Sequence, residues 1–173
     1  MLSKNCHPNR ELRSIDGVVV HHFSCLYADE KMAYDTQRCI ELFEDLNCDS
    51  TERKYGFHNL PENRVYASAH WLIGRAGETV LLIPDHMEAW HAGASIMNGR
   101  RYCNKFTVGV ELVGSNRVGY TEDQYISLIS LLKDLKKRYD IHDSFIMGHR
   151  DVSKGRKFDP SSDFDWHRIK GEL

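Results

Sequence analysis

The sequence predicts an α/β fold: a single domain in which a central mixed β-sheet is flanked by helices. Three observations lead to this prediction. Short apolar runs alternate with segments of helical periodicity, two of the runs are joined by a glycine-containing turn, and no repeat or linker divides the 173 residues. The resulting order, β–α–β–β–β–α–β, is typical of a sheet covered by helices. We therefore expect one domain over residues 1–173.

Four segments of the chain account for the predicted strands. Residues 17–24 (GVVVHHFS) are β-branched and apolar before a polar end, which is typical of a buried strand that delivers side chains at its C-terminal end. Residues 69–83 hold two apolar runs around a turn and are predicted to form a hairpin. Residues 107–113 (TVGVELV) and 144–148 (SFIMG) are predicted as the last two strands.

Two helices are predicted between these strands. Thr121 and Gln124 have the spacing of a capping box, and an apolar stripe with the helical period follows them: Tyr125, Leu128, Ile129, Leu132, Leu135 and Tyr139. A second helix is predicted over about 33–46, where apolar residues also share one side. The polar, turn-rich residues 48–66 are expected to form a loop over the strand ends.

Charge and hydropathy argue against several classes of function. The net charge of −2 gives no electrostatic basis for binding nucleic acid or an anionic membrane. No run approaches the ~18 apolar residues of a membrane span, and the polar N-terminus lacks the apolar stretch of a signal peptide. We therefore expect a cytoplasmic protein. Its five cysteines contain no CxxC pair and are expected to be reduced thiols.

Polar residues at the predicted strand ends form a candidate metal site. His21 lies at the end of the first strand, His149 follows the last strand, and Asp159 comes ten residues later. A hydrolytic zinc site uses three ligands of these types and leaves a fourth position open. Spacing alone is weak evidence, because a chain with ten histidines offers many such triples. A structural or solvated role for each histidine is the alternative.

Glu111 is unusual because it lies inside an otherwise apolar strand, between Val110 and Leu112. Burying a carboxylate there is costly unless a metal or another cation lies nearby. The alternative is an exposed position on an edge strand. Lys157 lies two residues before Asp159, and exposure statistics alone would make it a surface lysine.

In combination, these segments resemble the zinc-dependent N-acetylmuramoyl-L-alanine amidases of the amidase-2 type, which include amidase-type phage lysozymes and peptidoglycan recognition proteins. The matching stretches occur in family order within residues 18–168: VVVHHFS (18–24), SAHWLIGRAGE (68–78), AWHAG (89–93), GRRYCNKFTVGVELVGSN (99–116), YTEDQY (120–125) and GHRDVSKGRKFDPSSDFDW (148–166). The WHAG, VGVEL and RKFDP segments look most like the cytosolic anhydro-muropeptide amidases of cell-wall recycling.

The resemblance implies one zinc ion, held by His21, His149 and Asp159. It also implies that Glu111 is the catalytic acid and base, and that Lys157 stabilises negative charge on the carbonyl oxygen. The implied reaction is hydrolysis of the amide bond between the lactyl group of N-acetylmuramic acid and L-alanine, in peptidoglycan or in soluble muropeptides.

The resemblance further places Trp90 and His91 on the substrate cleft. Because stem peptides carry free carboxylates, a cation near the cleft would favour binding, and Arg100 is our candidate. Two features depart from the family pattern. Ala69 stands where the phage lysozymes have a tyrosine, and residues 26–66 match no family motif.

Several alternatives remain open on the sequence alone. Within amidase chemistry, the chain fits a recycling enzyme or a phage endolysin that another protein's membrane lesion releases to the wall. A non-catalytic muropeptide-binding module is a second class, although all three ligand positions are filled. A thiol hydrolase that uses Cys25 is a third, which is disfavoured because most lone cysteines are inert.

Overall fold

The computed structural model describes residues 6–12, 14–23, 34–45 and 67–173. The strands are β1 (Cys6–Glu11), β2 (Gly17–Phe23), β3 (Trp71–Ile73), β4 (Thr79–Leu81), β5 (Met87–Ala89), β6 (Ile96–Met97), β7 (Arg100–Arg101), β8 (Thr107–Val113) and β9 (Ile146–Gly148). The helices are α1 (Thr36–Asp45), α2 (Glu122–Tyr139), α3 (His149–Val152) and α4 (Trp166–Glu172). Short 3-10 turns precede β8 and β9, at Cys103–Lys105 and Asp143–Phe145.

A five-stranded mixed sheet in the order β4–β3–β8–β2–β9 forms the centre of the fold. Strand β2 pairs in parallel with β8 on one side and with β9 on the other, and β3 is parallel to β8. Strand β4 is the antiparallel edge partner of β3. The predicted mixed sheet with flanking helices is therefore confirmed. The two-stranded pairs β1–β5 and β6–β7 were not predicted from the sequence.

One face of the sheet packs against α2, and the other carries the polar residues of the site beside further apolar side chains, such as Val19. On one face, alternate valines of β2 and β8, such as Val20 and Val110, pack in a core with Leu128 and Leu132 of α2. Alternation along a strand then directs His21 to the opposite face. Burial of apolar side chains against α2 thus fixes the register that directs His21 and Glu111 to the opposite face.

The strongest predicted helix, α2, begins as the sequence indicates. Thr121 Oγ1 accepts a hydrogen bond from the Gln124 backbone at 3.2 Å, and the Gln124 side chain accepts one from the Thr121 backbone at 3.1 Å. Helix α1 confirms the weaker prediction over a slightly shorter span. The predicted loop over 48–66, and Cys25, lie outside the described residues.

Two further expectations concern the cysteines and membrane association. Cys39 and Cys103 are buried free thiols, and the expectation of reduced cysteines stays a prediction. In the part of the chain that the structure describes, no helix has the length and apolar character required to cross a bilayer.

Position 109 in β8 must be glycine, because the side chain of His91 lies directly against it. A Cβ atom at this position would lie 2.5 Å from Cγ of His91, which is far inside van der Waals contact. The glycine of TVGVELV therefore opens the space in which the His91 ring lies against the sheet.

We expect Gly109→Ala to lower the free energy of unfolding by about 1–3 kcal/mol, because the added methyl group must displace His91. Gly171→Ala is the matched control, since a Cβ there meets no atom within 4 Å. Urea denaturation of both variants measures the difference. Equal midpoints for the two variants would contradict the packing argument.

Candidate active site

His21, His149 and Asp159 converge at the C-terminal edge of the sheet. His21 lies near the end of β2, and His149 is the first residue of α3, directly after β9. Because Val20 of β2 is paired with Gly148 of β9, the residues that follow them are adjacent in space. The loop after α3 then returns Asp159 to the same point.

The three ligand atoms of this cluster lie close together. Nδ1 of His21 lies 2.9 Å from Nδ1 of His149 and 3.2 Å from Oδ2 of Asp159. The distance from His149 Nδ1 to Asp159 Oδ2 is 2.9 Å. Among the described residues, this is the group whose donor atoms meet the spacing of a metal site. Two imidazoles and one carboxylate are a ligand set that zinc favours.

Burial and neighbouring side chains favour a neutral His21 and an ionised Asp159, as a metal requires. The side chains of His21 and His149 are 2% and 4% exposed. Burial is the main cause that lowers the pKa of His21 to about 4, so this ring is neutral at physiological pH. Although burial raises the pKa of Asp159, the two neighbouring histidines outweigh that effect and hold it well below its usual range. The residues present therefore fit a divalent zinc ion.

Glu111 lies beside this cluster with one oxygen atom unpaired. It is opposite His21 in the parallel register of β2 and β8, and it is 9% exposed. Its Oε2 is buried and has no hydrogen-bond partner among the described residues. Burial, and secondarily the charge of Asp159, raises the pKa of Glu111 well above its usual value. Because β8 lies inside the sheet, the alternative of an exposed edge position is excluded.

Lys157 is half-buried in the loop that carries Asp159. Its positive charge acts on both neighbours, lowering the pKa of Glu111 and that of His21. Within the described segments, no carboxylate lies within salt-bridge distance of its ammonium group. The structure therefore brings Lys157 close to the metal-ligand cluster, as a cation without an ion-pair partner there.

His91 is expected from the family resemblance to lie on the substrate cleft. In the structure it lies behind His21, inside the protein. His91 is 8% exposed, and its Nδ1 lies 3.0 Å from Nε2 of His21. Its other nitrogen lies 3.3 Å from the carbonyl oxygen of Thr107. Both ring nitrogens are thus occupied inside the protein. The neighbouring Trp90 is half-buried, with its backbone N–H donated to Ser68 Oγ at 2.8 Å.

Arg100 does not lie near the ligand cluster, which corrects the sequence-based expectation. Its guanidinium forms an ion pair with Asp16 and stacks 3.8 Å from the ring centroid of Phe106. Asp16 precedes β2, and five residues of extended chain, about 16 Å, separate it from His21. The side chain is held at the opposite end of the strand, because its charge is compensated there.

The adjacent Arg101 lines a cavity of about 760 Å³ between the β6–β7 pair and α3. Lys154 and Arg156 also line this cavity, and Asp151 supplies the one acidic side chain among its lining residues. Arg156 connects the cavity to the metal-ligand cluster, because its Nη2 donates at 2.5 Å to the Ala92 carbonyl that also lies 3.2 Å from His149 Nε2.

Neither Arg156 nor Arg101 was singled out from the sequence. Arg156 contacts backbone carbonyls, and such contacts leave no pattern in a sequence. The choice between Arg100 and Arg101 depends on strand alternation, and β7 is only two residues long. No periodicity can be read from so short a segment.

Comparison with curated proteins identifies relatives of this chain. The AmpD protein of Enterobacter cloacae, named a 1,6-anhydro-N-acetylmuramyl-L-alanine amidase, is 42% identical over 106 residues, which cover 61% of this chain. The match covers 57% of that relative, so the chain spans little more than half of its length.

Solved structures and a family model agree with this finding. A crystal structure of an AmpD derivative covers 100% of this chain, with 30% identity and a TM-score of 0.78, and is itself covered to 99%. The endolysin amidase LysCS of Clostridium intestinale shares the fold, with a TM-score of 0.61, 24% identity, and coverage of 100% of this chain and 88% of that one. The family model described as N-acetylmuramoyl-L-alanine amidase matches residues 11–162. The chain therefore belongs to the N-acetylmuramoyl-L-alanine amidase family, Amidase_2.

Proposed function

We propose that this protein is a zinc-dependent amidase that cleaves the bond between the lactyl group of N-acetylmuramic acid and L-alanine in muropeptides. The observation that carries the proposal is the convergence of His21, His149 and Asp159 beside a buried carboxylate with an unpaired oxygen, Glu111. A metal site alone would suit a structural ion. A buried, unpaired carboxylate next to it is the arrangement that acid–base chemistry requires.

Each side chain of the site has a distinct part in the proposed reaction. His21, His149 and Asp159 hold the ion, which when bound supplies Lewis acidity that polarises the scissile carbonyl. Glu111 accepts a proton from the attacking water and passes it to the leaving amine of L-alanine. Its raised pKa supports this part, because a higher pKa brings the basicity of a carboxylate closer to that needed for proton transfer near neutral pH. Lys157 stabilises the negative charge that develops on the carbonyl oxygen.

The relatives favour soluble anhydro-muropeptides as the substrate over intact peptidoglycan. The AmpD relative at 42% identity is named for the 1,6-anhydro-N-acetylmuramyl-L-alanine bond. The likeness to the endolysin amidase, at 24% identity, concerns the fold alone. We therefore propose a cell-wall recycling activity for this chain.

Mass spectrometry of the products from a purified anhydro-muropeptide, with and without a chelator, tests the proposal. We expect release of the free stem peptide in the presence of zinc, and none after chelation. Products cut at another bond would contradict the proposed activity, as would unchanged turnover in the chelator. Binding of the muropeptide by the metal-free protein without any turnover on zinc addition would favour the recognition module instead.

We expect Asp159→Ala to bind zinc at least 100-fold more weakly than the wild type, because an anionic ligand is removed. Asp163→Ala is the control, since Asp163 is exposed and lies four residues further on. Zinc content after dialysis against a zinc buffer measures the difference. Equal zinc content in the two variants would refute the assignment of Asp159 as a ligand.

We expect Glu111→Gln to retain one zinc ion and to lose at least 100-fold in kcat. In the metal-free protein the same change should raise the urea midpoint at pH 7 or leave it unchanged, because it removes the desolvation cost of a buried charge. The two readouts separate a catalytic role from a structural one. Wild-type turnover in Glu111→Gln would refute the role in proton transfer.

We further propose that the cavity lined by Arg101, Lys154 and Arg156 receives the carboxylates of the stem peptide. Three cations and one acidic residue line it, whereas the whole chain has a net charge of −2. In the described part of the chain, neither Arg101 nor Lys154 has a carboxylate within 4 Å of its side-chain nitrogens. An anionic ligand would therefore meet cations that are not already neutralised.

We expect Arg101→Gln to raise KM for an anhydro-muropeptide about tenfold, with kcat changed less than threefold. Arg100→Gln is the matched control, because it removes the same charge one residue away but at a site paired with Asp16. Steady-state kinetics on the same substrate compares the two variants. An equal effect of both on KM would mean that the cavity does not bind the carboxylates.

A further inference from the structure

A continuous chain of hydrogen bonds connects the start of β8 to the metal-ligand cluster. Thr107 Oγ1 donates to the carbonyl oxygen of Cys103 at 2.7 Å. Nε2 of His91 lies 3.3 Å from both the carbonyl oxygen and the hydroxyl oxygen of Thr107. Nδ1 of His91 then lies 3.0 Å from Nε2 of His21. Each of these polar groups is buried.

The chemistry of these groups fixes the direction of every bond. A carbonyl oxygen can only accept, and the single hydroxyl proton of Thr107 is already donated to Cys103. Nε2 of His91 must therefore carry the hydrogen. A neutral imidazole has one N–H, so Nδ1 of His91 is bare and can only accept. The hydrogen between the two rings consequently belongs to Nε2 of His21.

We propose that His91 is a positioning residue, which holds His21 in the orientation and tautomer that direct an unprotonated Nδ1 at the metal. This inference rests on the proposed zinc site. In this role, His91 acts on the metal site through His21 and does not need to contact the substrate. Groups that hydrogen-bond the distal nitrogen of a ligating histidine typically contribute 10–100-fold to metal affinity.

The packing around His91 leaves its ring little freedom. Its ring meets that of His21 edge to face, at 88° and with 5.2 Å between the centroids. Gly109 lies directly beneath it, where any Cβ atom would lie 2.5 Å from His91 Cγ. The acceptor nitrogen is thus presented to His21 from a fixed position, at little entropic cost when the metal binds.

The two histidine ligands are oriented by different kinds of group. Nε2 of His149 lies 3.2 Å from the carbonyl oxygen of Ala92, which no substitution can remove, and 3.4 Å from Nη2 of Arg156. His21 instead depends on a side chain. A change at residue 91 therefore acts on one ligand and leaves the acceptor of the other in place.

His70 provides a natural control within the same face of the sheet. It is fully buried, and its ring lies 5.6 Å from that of His91. Its Nδ1 accepts from the backbone N–H of Gly109 at 2.8 Å, and its Nε2–H donates to the carbonyl oxygen of Met87 at 2.9 Å. It resembles His91 in burial and in hydrogen bonding but shows no hydrogen bond to either histidine ligand.

The test compares zinc affinity in His91→Asn and His91→Leu, measured by competition with a chromophoric chelator. Asparagine and leucine have nearly the same shape, and the asparagine oxygen replaces the Nδ1 acceptor. We expect His91→Asn to lie within about threefold of the wild type, and His91→Leu to bind zinc 10–100-fold more weakly. In the corresponding His70 pair, stability should differ while zinc affinity agrees within about threefold.

Equal zinc affinity in the two His91 variants, with one zinc bound by the wild type, would overturn this inference and leave the proposed function standing. Absence of zinc binding by the wild type would overturn both. If a His91 variant fails to fold, long-range ¹⁵N NMR of the wild type provides the test. We expect His91 to carry its proton on Nε2, and a proton on Nδ1 would refute the mechanism.

Discussion

The parallel pairing of β2 with both β8 and β9 is the constraint on which the site depends. It places His21 opposite Glu111 on one side and next to His149 on the other. The apolar side chains of the same strands determine this register, because a slip of one residue would turn the valines to the polar face and the histidine into the core. The same strand register is therefore required both to pack the core and to assemble the site.

The buried polar residues of the site lower the stability of the fold, and the packing of the apolar side chains on the sheet offsets this loss. Glu111 is buried with an unpaired oxygen, and the Nδ1 atoms of His21 and His149 lie 2.9 Å apart beside Asp159. Such an arrangement is unfavourable without a cation and favourable with one. Function rather than stability explains these residues, since apolar side chains of similar volume would give a more stable sheet.

Much of this could be predicted from the sequence. Periodicity and capping predicted the long strands and α2, and the family motifs indicated the residues that the structure brings together: His21, His149, Asp159, Glu111 and Lys157. The sequence motif that contains His91 could not show that this residue lies behind His21, because a motif indicates that a residue is important but not the direction in which its ring points. Nor could it separate Arg100 from Arg101, since an ion pair with Asp16 depends on residues distant in sequence.

We propose that one zinc ion binds to Nδ1 of His21, Nδ1 of His149 and a carboxylate oxygen of Asp159. Anomalous diffraction at the zinc absorption edge, from crystals of the zinc-loaded protein, tests it most directly. The account predicts a single strong peak about 2.0–2.2 Å from each of these three atoms. A peak at bonding distance from an Nε2 atom of either histidine, or a peak away from these residues, would contradict the proposed zinc site.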